Sequence, residues 1–139
     1  MLVAEIERIG EVPIVLMDSI AAILPQHQGA IVVCGSHGGH SAGEYALKVK
    51  LRAVLFNDAG IGKDQAGVVA LAMLQAVAVP ACAIAHESGR IGDASDMWQN
   101  GMLSRVNPAA QALGAHPGMT VRAAVALLAA RLGAKSAGL

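Results

Sequence analysis

The side chains able to carry out acid–base chemistry lie in four short polar segments, each of which follows an apolar run. These segments are DS (residues 18–19), GSHGGH (35–40), NDAG (57–60) and HESGR (86–90). They contain three of the five histidines, together with serine, aspartate, asparagine and arginine. Histidine titrates near neutral pH, a carboxylate can orient its ring, and arginine binds carboxylates through a bidentate fork. The combination predicts a proton-transfer site for a small polar or anionic molecule.

The catalytic residues of this hypothesis are Ser36, His37, Asp58 and His86. His37 or His86 would move the proton. Asp58 or Glu87 would orient that histidine, and Arg90 would hold an anionic group of the substrate. The residues expected to bind the ligand are Gly35, Gly38, Gly39, His40, Asn57, Gly60, Lys63, Glu87, Ser88 and Arg90. The expected substrate is a small carbonyl or amide compound, with hydrolysis of a C–N bond as the predicted reaction and isomerase or lyase chemistry as alternatives.

A serine nucleophile is a second hypothesis. Ser36 lies between small residues in a predicted strand–turn–helix, and Ser36, Asp58 and His86 follow the Ser, Asp, His order of α/β-hydrolases. The G-x-S-x-G pattern of those enzymes is broken, because Cys34 stands at the first glycine position. The sequence therefore keeps Ser36 as a candidate without defining a complete triad.

A divalent metal is a third hypothesis, although the main hypothesis needs no cofactor. His37 and His40 are spaced i, i+3, and a carboxylate from Asp58 or Glu87 would complete three ligands. Three protein ligands with an open fourth position are the pattern of a water-activating metal centre.

The glycine-rich segments do not match the phosphate-binding motifs of nucleotide enzymes. CGSHGGHS (residues 34–41) lacks G-x-G-x-x-G, and NDAGIGKD (57–64) departs from the P-loop at Asn57 and Asp64. Their backbone amides could still bind an anion or a developing oxyanion. The alternative to an enzyme is a non-catalytic small-ligand or phosphate-binding module, or an accessory subunit of a larger enzyme.

The elements that position these segments follow from the hydrophobic pattern. Continuous apolar runs predict buried parallel strands over residues 13–17, 30–34, 52–56 and 81–85. Helical patterns span residues 41–50, 63–77, 93–103, 108–113 and 121–132. Ser41 and Glu44 have the spacing of a capping box. We expect a single α/β domain over residues 1–139, a three-layer sandwich with a short, mostly parallel sheet of about four strands, flavodoxin-like or Rossmann-like. Ligands bind such sheets at the carboxyl ends of the strands.

Composition limits the classes of partner. Ten basic and ten acidic residues give no net charge, which disfavours nucleic acid, and no apolar run is long enough for a membrane span. The first residues lack a signal-peptide pattern, so a cytoplasmic location is expected. Because 55% of the residues are hydrophobic and 14% are charged, we also expect a homo-oligomer. Cys34 and Cys82 have no CxxC spacing and are expected to be buried thiols.

Overall fold

Within the residues that the structure describes, six strands form one mixed sheet whose spatial order is the order of the chain. The structure is a computed structural model that describes residues 1–137, with side chains described to residue 133. The strands are β1 (Val3–Ile9), β2 (Val12–Met17), β3 (Ile31–His37), β4 (Ala53–Asn57), β5 (Ala81–Ile84) and β6 (Leu103–Val106). Strands β2 to β5 are parallel, whereas β1 and β6 pair antiparallel at the two edges.

The six-stranded sheet corrects the expected count of about four strands. The four predicted strands are present as the parallel centre, where burial on both faces gives continuous apolar runs. The edge strands carry a weaker signal, because β1 is largely exposed and β6 has only four residues. The strand order contains no reversal within the described residues, so the switch point of flavodoxin-like and Rossmann-like sheets is absent from them.

Helices cover both faces of the sheet and give three layers. They are α1 (His40–Leu47), α2 (Val69–Gln75), α3 (Ala94–Asn100), α4 (Pro108–Ala112) and α5 (Val121–Ala137). Right-handed crossovers between sequential parallel strands place their connections on one face, and α1 and α2 pack there with Phe56. The helices α3 and α5 pack on the other face, around Leu55 and Met97. Among the described residues, none of the helices combines the length and the apolar character needed to cross a membrane.

The start of α1 differs from the predicted capping box. The N-cap residue is Gly39, which places Ser41 inside the first turn, where its side chain does not cap the helix. Glu44 instead lies 3.2 Å from Nδ1 of His40, four residues earlier on the exposed side of the helix. The prediction of a Ser41–Glu44 capping box was therefore wrong.

Both cysteines are buried free thiols, as the sequence indicated. Cys34 lies in β3 and Cys82 in β5, and each is fully buried. Burial raises the pKa of each thiol to about 12, because the thiolate would lose its hydration. Both side chains therefore act as small apolar core residues.

Asn107 joins three elements through a fully satisfied buried side chain. Its Oδ1 accepts hydrogen bonds from the amides of Ala81 and Ala110, each at 3.0 Å. Its Nδ2 donates to the carbonyls of Leu71 and Val79 at 3.2 and 2.9 Å. The residue thus caps α4 while fixing the start of β5 and the side of α2.

Replacement of Asn107 by Ala is expected to lower the free energy of unfolding by about 2–5 kcal/mol, because several buried backbone groups lose their partner. Urea denaturation followed by circular dichroism measures the change. Asn100→Ala is the matched control, since the side chain of Asn100 is exposed and donates only to Asp96. A loss for Asn107→Ala no larger than that of the control would contradict this role.

Candidate functional site

A buried carboxylate, Asp58, forms the centre of the polar edge of the sheet. Its Oδ1 accepts the amide of Gly60 at 2.7 Å and the amide of His86 at 3.1 Å, and it lies 3.3 Å from Nδ1 of His86. Its Oδ2 accepts the hydroxyl of Ser104 at 2.6 Å. Only 6% of the Asp58 side chain is exposed. Three segments, following β4, following β5 and within β6, therefore meet at one carboxylate.

Hydrogen bonding keeps the Asp58 carboxylate ionised despite its burial. Burial raises its pKa, but the hydrogen bonds from Ser104, Gly60 and His86 together outweigh burial, and the pKa lies below its ordinary value. A negative charge is therefore present beside the His86 ring at neutral pH.

His86 combines a fixed inner nitrogen with an accessible ring. Its side chain is 49% exposed, and the backbone of Gly60 lies against the ring: a Cβ at Gly60 would be 3.4 Å from Cε1. Since the ionised Asp58 only accepts hydrogen bonds, the neutral imidazole is assigned with its proton on Nδ1. This assignment leaves the Nε2 lone pair available to an incoming molecule. Asp58 and His86 thus form a carboxylate–histidine dyad.

The segment between β4 and α2 bends sharply so that Asp58 and Gly60 can face His86. Asn57, which is fully buried, accepts the amide of Ala59 at 2.8 Å and donates to the carbonyl of Gly89 at 2.9 Å. Ala59 and Ile61 have left-handed φ values of 50° and 67°. Such a φ is costly for a β-branched residue such as Ile61, and strain of this kind concentrates at functional sites.

The glycines of residues 34–41 lie against protein backbone. A Cβ at Gly35 would be 2.4 Å from the Asp18 carbonyl oxygen and 2.7 Å from the carbonyl carbon of Gly92. A Cβ at Gly38 would be 2.8 Å from the Gly67 carbonyl oxygen. The amide of Gly92 also donates to the Gly35 carbonyl at 2.8 Å. Close packing accounts for these glycines, and their ligand-binding role remains a prediction.

The other polar side chains of this loop point to separate partners. The hydroxyl of Ser36 accepts the amide of Ile20 at 3.0 Å, while Asp58 and His86 contact each other elsewhere. His37 is exposed and its Nε2 would be 2.7 Å from a Cβ on Gly39, so the ring lies over that glycine. The structure thus brings together Asp58 and His86 of the four predicted catalytic residues. Gly39 itself is buried at the N-cap of α1.

No group of three or more His, Cys, Asp or Glu side chains in the described part of the chain is placed to hold a metal ion. His40, a predicted ligand, has its Nδ1 beside Glu44. The metal site predicted at His37 and His40 remains a prediction.

The remaining predicted ligand-binding residues lie on the same edge with varied exposure. Lys63, Glu87 and Arg90 are exposed. The hydroxyl of Ser88 donates to the Ala85 carbonyl at 2.8 Å and accepts the amide of Met102 at 2.9 Å, so it braces the connection after β5.

Sequence reasoning missed Ser104, because the strand that holds it was not predicted. Its residue type alone carries no signal, and β6 is irregular next to it: the pairing register shifts between Ala83 and Ile84. Ser104 is the residue of β6 that this shift leaves without a partner in the register, and its hydroxyl donates a hydrogen bond to Asp58.

Asp18, after β2, is a second ionised carboxylate at this edge, and its role is structural. It accepts the amides of Leu2 and Ala94 at 2.7 and 2.9 Å, which ties β1 and α3 to β2. These two hydrogen bonds hold the pKa of Asp18 below its ordinary value.

Because its folded-state pKa is lowered, the stabilisation from Asp18 is present above the unfolded pKa of about 3.9 and is lost as pH falls through the folded value. Asp18→Asn is expected to lower the free energy of unfolding by about 1–3 kcal/mol at neutral pH. The difference in this free energy between the variant and the native chain should shrink in acid. Urea denaturation at neutral and acidic pH measures both effects. Asp64→Asn, at an exposed position, is the control; a difference independent of pH would contradict the assignment.

Comparison of the chain with protein-family models, with curated proteins and with solved structures finds no match.

Proposed function

We propose that this protein is an enzyme in which the Asp58–His86 dyad performs general acid–base catalysis on a small polar carbonyl or amide compound. The observation that supports the proposal is the 3.3 Å contact between a buried, ionised carboxylate and Nδ1 of a half-exposed histidine. A merely structural aspartate would need no ionisable partner whose second nitrogen is accessible. A pair of this kind can accept a proton and return it.

Hydrolysis of a C–N bond is the reaction we propose first. Nε2 of His86 takes a proton from water as the water oxygen attacks the carbonyl carbon. Asp58 stabilises the imidazolium that results. The C–N bond then breaks as the imidazolium returns its proton to the leaving nitrogen, so the products are an acid and an amine or ammonia.

Ser104 is a positioning residue in this proposal. In a nucleophilic triad the histidine lies between serine and aspartate, whereas the Ser104 hydroxyl donates directly to Oδ2 of Asp58. Ser104 cannot pass its proton to His86 through that contact. It fixes the carboxylate so that Oδ1 remains directed at Nδ1.

The first experiment measures the tautomer of His86 by ¹⁵N NMR of the imidazole nitrogens. The neutral ring is expected to carry its proton on Nδ1 in the native protein and to shift towards Nε2 protonation in Asp58→Asn. His116, an exposed histidine whose Nδ1 lies beside the Pro117 carbonyl, is the internal reference and should not change. An Nε2 proton on His86 in the native protein would overturn the proposal.

The second experiment screens small amides and related compounds for release of ammonia or amine. His86→Gln is compared with His116→Gln, and only the former should abolish any turnover found. Turnover that persists in His86→Gln overturns the proposal. Binding of compounds without turnover would favour the non-catalytic ligand-binding alternative. The proposal places the enzyme in the cytoplasm, where the buried thiols would stay reduced.

A further inference from the structure

A groove of about 410 Å³ lies between α2 and β6, beside the segment that carries Asp58. Apolar side chains form much of its wall: Val68, Leu71, Ala72 and Pro108. Gln65 and Arg105 supply polar groups on the same surface. A mostly apolar wall with few polar groups is the usual composition of a small-molecule site, in which the polar groups orient the ligand.

Arg105 is the charged group of this groove. The side chain is exposed and its guanidinium donates one hydrogen bond, to the Ser104 carbonyl at 3.3 Å. Over the described residues it forms no ion pair with a carboxylate. A guanidinium with free donors is suited to a carboxylate, which it binds in a planar, bidentate geometry.

The groove and the dyad are connected through two consecutive residues of β6, since Arg105 lines the groove and Ser104 contacts Asp58. Arg105 follows Ser104, whose hydroxyl contacts Asp58. Arg105 also pairs with Ala83 of β5, and Ala83 belongs to the core on the α2 face of the sheet. Directly paired residues of neighbouring strands share a face, so Arg105 lies on the face covered by α2. A carboxylate bound by Arg105 would therefore lie beside the residue that precedes it, Ser104, whose hydroxyl holds Asp58 in place.

We propose that the substrate is a carboxylic acid with an apolar body, which this groove binds. The carboxylate pairs with Arg105, and the apolar body packs against Val68 and Leu71. The proposal rests on the proposed function, because the reacting carbonyl or amide group of the same molecule would extend to His86. Specificity would follow from the charge of one end and the apolar character of the middle.

The test uses 4-methylpentanoate and the uncharged alcohol 4-methylpentan-1-ol as matched probes of the full chain. Neither probe has a C–N bond that the proposed reaction could break, and binding is followed through the NMR signals of the Leu71 and Val68 methyl groups. The acid is expected to bind at millimolar concentration, at least about tenfold more tightly than the alcohol. Arg105→Gln should weaken binding of the acid at least about tenfold. Arg131→Gln, which removes an exposed arginine of α5, should leave that binding unchanged. Equal binding of the acid and the alcohol, no shift of the methyl signals, or no effect of Arg105→Gln overturns the proposal.

A second variant distinguishes the groove from charge attraction alone. Ala72→Phe fills the groove from the exposed side of α2 and leaves Arg105 in place. Ala72→Phe should also weaken binding of the acid at least about tenfold, and unchanged binding overturns the proposal.

Failure of this proposal and failure of the proposed function give different results. If turnover is lost in His86→Gln while KM and probe binding are unchanged in Arg105→Gln, only the proposal of a carboxylate site in the groove is overturned. Probe binding as expected, with normal turnover in His86→Gln, supports the carboxylate site and overturns the dyad.

Discussion

Asp58→Asn is expected to lower kcat on the order of 10²–10⁴-fold while the fold is retained. The asparagine side chain has nearly the same shape, but it lacks the negative charge that stabilises an imidazolium at His86. Its oxygen is expected to stay at the Oδ1 position, which accepts the amides of Gly60 and His86, so its amide nitrogen faces the Ser104 hydroxyl. A neutral amide oxygen accepts the Nδ1 proton more weakly than a carboxylate, so the ring is expected to hold its proton more often on Nε2, the nitrogen that must accept a proton from water.

The measurement compares kcat and KM of the variant with those of Asp64→Asn, an exposed aspartate in the same loop. Asp64 has a left-handed φ of 55°, which asparagine tolerates, so the control changes charge without adding backbone strain. Circular dichroism and urea denaturation separate a loss of folded protein from a loss of catalysis.

A double variant tests whether the two residues act as one unit. Asp58→Asn combined with His86→Gln should be no slower than His86→Gln alone, because the carboxylate acts through the ring. Additive losses would contradict the dyad, as would an Asp58→Asn enzyme that retains turnover within about threefold of the native value.

The sequence was sufficient to predict the parallel centre of the fold and the edge that holds the dyad. Strands buried on both faces need continuous apolar residues, and such runs are visible without a structure. Parallel strands also end at a common edge, which is why Asp58 after β4 and His86 after β5 could be expected near each other. The contact between their side chains needed the bend at Asn57 and Gly60, which no periodic pattern describes.

Ser104 shows why the rest of the site was not predictable. It lies in a four-residue edge strand, and its contact with Asp58 joins residues 46 positions apart. Ser36, by contrast, precedes Asp58 and His86 in the Ser, Asp, His order of α/β-hydrolases, but its hydroxyl accepts a hydrogen bond from the amide of Ile20. The order of residue types along a chain therefore did not identify which serine approaches the carboxylate.

The glycine-rich segments were ambiguous for a physical reason. A glycine permits a close approach of the backbone, but its presence does not reveal whether the approaching atom belongs to a ligand or to the protein. At Gly35 the approaching atoms belong to Asp18 and Gly92, and at Gly38 to Gly67. The same residue pattern therefore supported a ligand cradle in the sequence and tight packing in the structure.

Gly67→Ala is expected to lower the free energy of unfolding by about 3–5 kcal/mol, the largest stability effect we predict for a single methyl group. A Cβ at Gly67 would lie 2.1 Å from the Asp58 carbonyl oxygen and 3.1 Å from Cα of Ile61. These are backbone atoms of the loop that carries Asp58, and the Gly67 amide donates to the Ile61 carbonyl at 2.8 Å. The added carbon can be accommodated only if that loop moves.

Gly133→Ala in α5 is the matched control for the same chemical change. Its Cβ would lie 3.5 Å from a Val12 methyl group, an ordinary contact, and alanine favours a helix by about 0.5–1 kcal/mol over glycine. Urea denaturation should therefore show opposite signs for the two variants. Because Asp58 must move to relieve the overlap, any Gly67→Ala protein that folds should also lose turnover. A stable Gly67→Ala protein with normal turnover would contradict the loop geometry on which the dyad depends.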